Sequence, residues 1–235
     1  MHIQRDWKIE FKEEDFIAFS GGSMKKMLSR ASVREDWEAA LAEVGTYIHP
    51  AAIWDAFPIR EFKHERVILA NGAKIGGGPV AAVVAGAAEL LIGVCTVGSE
   101  VSQRVSQLQQ DGSRMRAMFL DTLGTWSVGQ VREQFFRQLE IQAINQGLHA
   151  STTLAPGEST WPVSEQAVLF SALDASQIGV TLTPSMMMNP VKSVSFIMGV
   201  GPNPLGSEGG ANCDYCTIRD TCAYSRKSQT LPAAA

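Results

Sequence analysis

The sequence has few cysteine, histidine and tyrosine residues: four, four and three in a chain of 235. The histidines are far apart without metal-ligand spacing, and no serine, histidine and acid set has the spacing of a recognisable hydrolase motif. The chain also has no net positive charge and no basic cluster, since the formal net charge is -4 and the Lys and Arg residues are scattered rather than grouped. We therefore expect neither a hydrolase nor a nucleic-acid-binding protein.

The sequence also lacks signals for export and membrane insertion. Residues 1–14 are charged and have no apolar stretch of the kind found in secretory signals, so we expect a cytoplasmic protein. The most apolar run, residues 79–97, contains Glu89 and has no basic or aromatic anchors at its ends. This run predicts a buried helix followed by a buried strand, and no membrane partner.

Three of the four cysteines lie close together near the C-terminus, as Cys213, Cys216 and Cys222. Clustered thiolates suit zinc or an iron-sulfur cluster, whereas a disulfide framework would spread its cysteines over a small secreted domain. We predict a metal site here and prefer iron-sulfur, with zinc and free structural thiols as alternatives. Cys95 lies in an apparent buried strand, where it is either a small hydrophobic residue or the fourth ligand.

Hydrophobic periodicity predicts helices and strands that do not alternate strictly, which favours an α+β fold. One domain is expected over residues 1–200, then a loop with the metal-binding turn over 201–227 and a disordered tail over 228–235. Gly124 and Gly129 lie inside one predicted helix, which indicates that something packs closely there. The predicted helices are 32–44, 80–90, 100–110, 114–139 and 164–173; the predicted strands lie within 61–69 and at 91–96, 179–182 and 193–200, with an edge segment at 1–20, a connection at 47–57 and a hairpin turn at Asn71-Gly72.

Three segments in order, residues 91–98, 119–124 and 178–195, resemble one known family. The last has the form leucine-threonine-x-serine-x-x-methionine-x-proline-x-x-serine-valine-serine and is the most specific. Together they are similar to the activation domain of cobalamin-dependent methionine synthase, and more closely to its small stand-alone relatives. The resemblance covers roughly residues 60–200.

The resemblance implies a helmet-like α+β fold with a curved, mainly antiparallel sheet flanked by helices. It also implies an accessory protein that acts on a corrinoid protein or a free corrinoid such as cobalamin and supports its reductive activation, here with electrons from the predicted iron-sulfur cluster. The alternatives are a non-catalytic corrinoid-binding module or chaperone with structural zinc, and a fold relative that binds an unrelated small molecule.

The family motif for S-adenosylmethionine aligns with residues 153–158 and keeps Pro156 and Gly157 as predicted ligand-binding residues. Its arginine and tyrosine are replaced by Thr153 and Glu158, and Gly129 stands about where the synthase has an acidic residue on the ligand. A sulfonium cation with a carboxylate needs matched charges, so we expect S-adenosylmethionine to bind weakly or not at all.

We also expect residues of the last segment to contact the ligand, because methionine adapts to irregular apolar shapes and alternating serines on a strand face one side together. The alternative reading is that the methionines fill the core and the serines lie on a sheet surface. Asp121 resembles a family position at a helix start, or else makes a polar packing contact. The predicted ligand-contacting residues of this segment are Met187, Met188, Pro190, Ser193 and Ser195.

Overall fold

The structure is a computed structural model of the chain, and it describes residues 1–21, 23–158, 160–205 and 220–221. The predicted metal ligands Cys213, Cys216 and Cys222 lie outside the described residues, as does the predicted tail 228–235. Within the described part of the chain, no helix is long and apolar enough to cross a membrane.

The elements mix helices and short strands along the chain. Short 3-10 turns lie at Gly45–Tyr47, Val163–Glu165 and Ala175–Ile178. The helices are α1 Glu13–Ser20, α2 Ser23–Leu28, α3 Ala31–Val44, α4 Val80–Val83, α5 Glu100–Gln110, α6 Arg114–Asn145 and α7 Gln166–Ala172. The strands are β1 His2–Gln4, β2 Ala51–Lys63, β3 Arg66–Leu69, β4 Lys74–Gly76, β5 Glu89–Thr96, β6 His149–Ala150, β7 Thr181–Leu182, β8 Met188–Asn189 and β9 Ser193–Gly201.

Seven strands form the main sheet in the order β4-β3-β2-β5-β9-β6, and β1 pairs with β2. The pairs β2–β3, β3–β4 and β6–β9 are antiparallel, as is the separate two-stranded sheet β7–β8. Helices and antiparallel strands that do not alternate confirm the predicted α+β class.

A first compact unit is built around aromatic side chains. Its centre is Trp37 of α3, whose ring lies 4.4 Å from the Phe16 ring and 5.6 Å from the Phe119 ring. All three side chains are buried, so helices α1, α3 and α6 share this core. The unit comprises Met1–Ile53, Val94–Arg137 and Ala175–Val194.

A second compact unit is packed with smaller side chains. A Cβ atom on Gly199 of β9 would lie 2.9 Å from Val84 Cβ and 3.0 Å from Ala87 Cβ, so the chain after α4 lies directly on this strand. Glycine is required at position 199 because this approach leaves no room for a side chain. The unit comprises Trp54–Gly93, Gln138–Asp174 and the described part of Ser195–Ala235.

The predicted edge segment over residues 1–20 is only partly correct. It contains the short strand β1, but residues 5–12 are irregular and Glu13–Ser20 is a helix. The Trp7 ring packs against Phe135 of α6 and the Phe11 ring against Trp126, with ring centroids 5.5 and 5.9 Å apart. These aromatic side chains therefore pack against a helix and do not lie in a strand. Residues 5–12, here called the strap, cross α6, and the apolar residues Trp7, Ile9 and Phe11 in it alternate with polar residues as they would in a strand.

Three further predictions need correction. The predicted connection 47–57 is wrong, because β2 begins at Ala51 with four successive buried residues, a continuous run typical of a strand buried on both faces. The predicted helix 80–90 is too long, since α4 ends at Val83 and Gly86 turns the chain at φ +87° before β5. The predicted helix 114–139 is too short, since α6 continues to Asn145.

The remaining element predictions agree with the structure to within a few residues. Helices α3 and α5 and strands β5 and β9 lie where the periodicity placed them. The hairpin turn at Asn71-Gly72 joins β3 to β4, with the Leu69 N–H donating to the Ala73 carbonyl at 2.9 Å. Local patterns were sufficient because α3 and α5 each have one buried face, whereas β5 and β9 are buried along most of their length and form apolar runs.

Candidate functional site

Residues from all three family-like segments meet around Lys192 in the first unit. The Lys192 ammonium lies 2.8 Å from Asp121 Oδ1 and donates to Thr125 Oγ1 at 2.7 Å. The Lys192 carbonyl accepts hydrogen bonds from the Val97 N–H at 3.2 Å and from the Thr96 hydroxyl at 3.3 Å. One residue therefore joins the end of β5, helix α6 and the start of β9, and we call this arrangement the Lys192 junction.

Helix α6 is shaped to receive the lysine side chain. Asp121 and Thr125 are four positions apart, so they lie on one face of the helix. A Cβ atom on Gly124 would lie 3.6 Å from Lys192 Cε and 3.1 Å from Val101 Cγ2, so the absence of a side chain lets both neighbours approach. The Lys192 side chain is 12% exposed and that of Asp121 is 50% exposed. The junction is therefore a partly shielded ion pair.

The position of Asp121 differs from the expected helix start, and its partner is Lys192. Asp121 lies well inside α6, which begins at Arg114, and not at a helix start. Its ion pair with Lys192 fits the alternative reading of a polar packing contact. The sequence analysis did not predict a role for Lys192. The feature that could have indicated one is its positive charge, which is alone between Val191 and Ser193 in an otherwise uncharged segment.

The Ser193 side chain makes hydrogen-bond contacts within the first unit. Its hydroxyl is buried and lies 2.7 Å from the Pro190 carbonyl and 2.9 Å from Thr96 Oγ1. Thr96 Oγ1 also accepts a hydrogen bond from the Gly98 N–H at 3.1 Å. These contacts fix the backbone around β9, and the predicted contact of Ser193 and Pro190 with a corrinoid stays a prediction.

Residues 183–191, here called the methionine loop, carry an exposed apolar surface beside the junction. Met187 is 55% exposed and Val191 is 64% exposed, whereas Met188 in β8 is half-buried. The Thr183 N–H donates to the Met187 carbonyl at 2.9 Å, and the Met187 N–H donates to Thr183 Oγ1 at 3.1 Å. The backbone is thus held in a turn that presents the flexible Met187 side chain to solvent.

The predicted ligand loop of residues 153–158 belongs to the second unit. Thr153 and Pro156 are buried, and Gly157 is exposed at φ +93°. The Gly157 N–H donates to the Trp161 carbonyl at 2.9 Å, which closes the loop. Leu154 exchanges two backbone hydrogen bonds with Ile197 of β9, at 2.8 and 3.1 Å. The loop is an ordered extension of this strand.

The predicted ligand residues therefore fall into two groups. Met187, Met188, Pro190 and Ser193 lie together in the first unit. Pro156, Gly157 and Ser195 lie in the second unit, where the buried Ser195 hydroxyl donates to Gln166 Oε1 at 3.1 Å. Their predicted roles in ligand binding stay predictions.

Cys95 has the chemistry of a core residue. It is fully buried in β5, and burial raises the pKa of its thiol to about 12. Without a bound metal the thiol is therefore protonated at neutral pH, as expected for a packed core residue, and its role as a fourth ligand stays a prediction. No group of three or more histidine, cysteine or acidic side chains that could hold a metal occurs among residues 1–21, 23–158, 160–205 and 220–221.

Comparisons with known proteins show a similarity of fold. The chain matches no protein-family model and no curated protein. Its structure is similar to the crystal structure of the MetH reactivation domain bound to AdoHcy, with a TM-score of 0.52 and 15% sequence identity. The similarity covers 94% of this chain and 78% of that chain, so it extends well beyond the family-like segments. The predicted activation-domain fold is thus confirmed, and at this identity the comparison establishes the fold alone.

Proposed function

We propose that this protein is an accessory protein of corrinoid chemistry, which docks on a corrinoid or a corrinoid-binding protein and supports its reductive activation. The observation that carries the proposal is the Lys192 junction, where three separated segments that resemble the synthase activation domain meet beside one exposed surface. The fold likeness to the MetH reactivation domain supports the same class of partner.

The methionine loop is the proposed docking surface. Its exposed side chains, Met187 and Val191, are apolar, and methionine adapts to irregular partner shapes. A corrinoid has a broad, largely apolar ring edged with polar groups, which a small adaptable apolar surface fits. Because the backbone turn at Thr183 is hydrogen-bonded, the loop does not have to be ordered during binding.

The proposed electron source is an iron-sulfur cluster held by Cys213, Cys216 and Cys222. The support is the donor set itself, since three thiolates in ten positions suit iron-sulfur or zinc. A bound cluster would supply single electrons to an oxidised corrinoid. Cys95 is not included in the proposed ligand set, since its side chain is fully buried in β5.

A second candidate function is a non-catalytic corrinoid-binding module with structural zinc. It is favoured by the hydrogen bonds and the ion pair among described residues that already hold the methionine loop and the junction in place, since docking alone needs no redox group. The two candidates differ in one respect: only the first requires electron transfer.

The deciding experiment uses anaerobically purified protein with cob(II)alamin, free or on a corrinoid protein, followed by visible absorption. We expect the wild type to bind and, with a chemical electron donor, to reduce the corrinoid. The double variant Cys213→Ser/Cys216→Ser should still bind but no longer reduce it. Binding without reduction by a colourless, zinc-containing wild type would establish the second candidate. A wild type that binds neither form of the corrinoid would overturn both.

A further inference from the structure

We infer that Lys192 is a positioning residue, whose ion pair with Asp121 and hydrogen bond to Thr125 hold the methionine loop in the conformation that receives its partner. This inference rests on the proposed function, because the partner of the loop is the proposed corrinoid. Lys192 does not itself have to touch the corrinoid, since it acts through the loop that ends beside it.

The methionine loop has few anchors of its own. Strands β7 and β8 pair only with each other in the described part of the chain, through Thr181 with Asn189 and Leu182 with Met188. A two-stranded hairpin is marginally stable by itself. Its orientation on the protein therefore depends on the residues beside it, which include the buried Val180 before β7 and the buried Pro190 after β8. Lys192 follows Pro190 closely and has polar contacts at both its backbone and its side chain.

Lys192 holds the end of the loop on two sides. Its carbonyl is fixed by the Val97 N–H and the Thr96 hydroxyl, and its ammonium is fixed by Asp121 and Thr125. Val191, the most exposed apolar residue of the loop, directly precedes it. Movement of Lys192 away from α6 would thus displace the apolar surface that we propose for docking.

The burial of this ion pair separates it from ordinary surface pairs. Lys12 and Glu10 lie at a similar distance, 2.7 Å, but both side chains are about two-thirds exposed, and such pairs contribute little. The Lys192 side chain is 12% exposed and makes two directed bonds, so losing its charge removes an anchor that solvent cannot replace. Asp121 is half-exposed and can be hydrated once its partner is removed. A charge-removing variant should therefore still fold.

Replacement of Lys192 should weaken docking more than it changes chemistry. A loosened loop must be ordered during binding, and that cost appears in affinity. For Lys192→Met, which keeps an apolar stem of similar length, we expect about tenfold weaker binding of cob(II)alamin. The reduction rate at saturating corrinoid should be unchanged, and Lys192→Arg should restore most of the affinity.

The test combines a loop readout with a binding readout on the full chain. Isotope-labelled methionine methyl groups report the order of Met187 and Met188 by NMR without any corrinoid, and titration with cob(II)alamin gives the affinity. In Lys192→Met we expect the Met187 and Met188 methyl signals to become narrower and to move towards the chemical shifts of disordered methionine. Lys12→Met should leave both signals unchanged. In a double-mutant cycle, Asp121→Asn and Lys192→Met together should cost no more affinity than Lys192→Met alone.

The readouts distinguish failure of this inference from failure of the proposed function. Unchanged methionine signals in Lys192→Met would overturn the inference, as would disordered signals with unchanged cob(II)alamin affinity. If the wild type binds no corrinoid, the proposed function fails and the positioning role in docking fails with it, while the NMR comparison still reports whether Lys192 orders the loop. If Lys192→Met does not fold, Thr125→Val and Asp121→Asn remove the same bonds from the α6 side and carry both measurements.

Discussion

At the scale of single residues, the two glycines of α6 differ in what surrounds them. A Cβ atom on Gly124 would lie 3.1 Å from Val101 Cγ2, so close packing requires glycine there, as the sequence indicated. A Cβ atom on Gly129 would meet no described atom within 4 Å, so the same expectation is not met at this position. A glycine inside a helix that packing does not require carries an avoidable entropic cost.

Gly129→Ala should therefore stabilise the protein by about 1 kcal/mol, because alanine is the better helix former and no described neighbour obstructs it. Urea unfolding followed by circular dichroism measures the change. Gly124→Ala is the matched control and should give no gain or a loss, since Val101 would have to move. Equal stabilisation by both substitutions would contradict this account of α6.

Cys95 gives a prediction about pH. Its pKa is raised to about 12 in the folded protein by burial, and the unfolded thiol ionises near pH ~8.5. Above that pH the unfolded state loses a proton that the folded state keeps, so this residue favours unfolding increasingly as pH rises. The stability loss of Cys95→Ala relative to the wild type should shrink by about 2 kcal/mol between pH 7 and pH 10. Urea unfolding of the two proteins at both pH values measures this difference. If the stability loss caused by Cys95→Ala did not change with pH, the raised pKa of the Cys95 thiol would be refuted.

The residues aligned with the S-adenosylmethionine motif give a third prediction. Thr153 and Glu158 replace an arginine and a tyrosine, and Thr153 is buried. Loss of an arginine contact to a carboxylate costs about 2–5 kcal/mol, which weakens binding by about 30- to 5,000-fold. We therefore expect titration calorimetry to detect no binding of S-adenosylmethionine at micromolar concentrations. A micromolar dissociation constant would restore S-adenosylmethionine as a methyl donor in the proposed function.

At the scale of elements, the N-terminal segment is attached to α6 by amide side chains. The Gln130 side chain accepts from the Glu10 N–H at 3.1 Å and donates to the Glu10 carbonyl at 2.9 Å. Gln134 donates to the Lys8 carbonyl at 2.7 Å. These side chains pair with backbone groups that a neighbouring strand would otherwise satisfy, so the irregular residues 5–12 are attached to α6 without belonging to a sheet.

Gln130→Ala should loosen this segment. It removes both bonds to Glu10, and we expect a loss of about 1–2 kcal/mol in the free energy of unfolding. Amide hydrogen exchange should show faster exchange at Glu10 than in the wild type. Gln142→Ala, at an exposed position of the same helix, is the control and should leave the Glu10 amide unchanged. Equal exchange in the two variants would show that the aromatic contacts alone hold the segment.

At the scale of the whole molecule, distant parts of the chain provide neighbouring strands. Strand β9, near residue 200, lies in the sheet between β5 and β6, and β2 lies between β3 and β5. Such an order contains few local contacts, so no single segment of sequence specifies it. The fold likeness to the MetH reactivation domain over 94% of the chain, at 15% identity, shows that the arrangement tolerates extensive sequence change.

The composition of the purified protein tests the proposed function at this scale. We expect anaerobically purified protein to carry iron and acid-labile sulfide, both lost in Cys213→Ser/Cys216→Ser, because clustered thiolates are the ligands of iron-sulfur clusters. Metal analysis with a sulfide assay measures this. Stoichiometric zinc without sulfide would instead favour the structural module.

The sequence by itself determined the α+β class, the helices α3 and α5, the strands β5 and β9 and the turn at Asn71-Gly72. Each has a periodic pattern or a turn residue within a few positions, which is the range over which local chain geometry acts. Helix α1 was also open to prediction, since three acidic residues in its first turn favour a helix start.

Only the tertiary structure decided the Lys192 junction, the strap over α6 and the burial of the predicted ligand serines. Lys192 and Thr125 are 67 positions apart, and Ser193 and Thr96 are 97 positions apart. A polar side chain carries no local mark of its partner, because hydrogen bonds and ion pairs are formed by whichever groups the packed elements bring within about 3 Å. The identity of the residues was therefore set by the sequence, and their pairing by the fold.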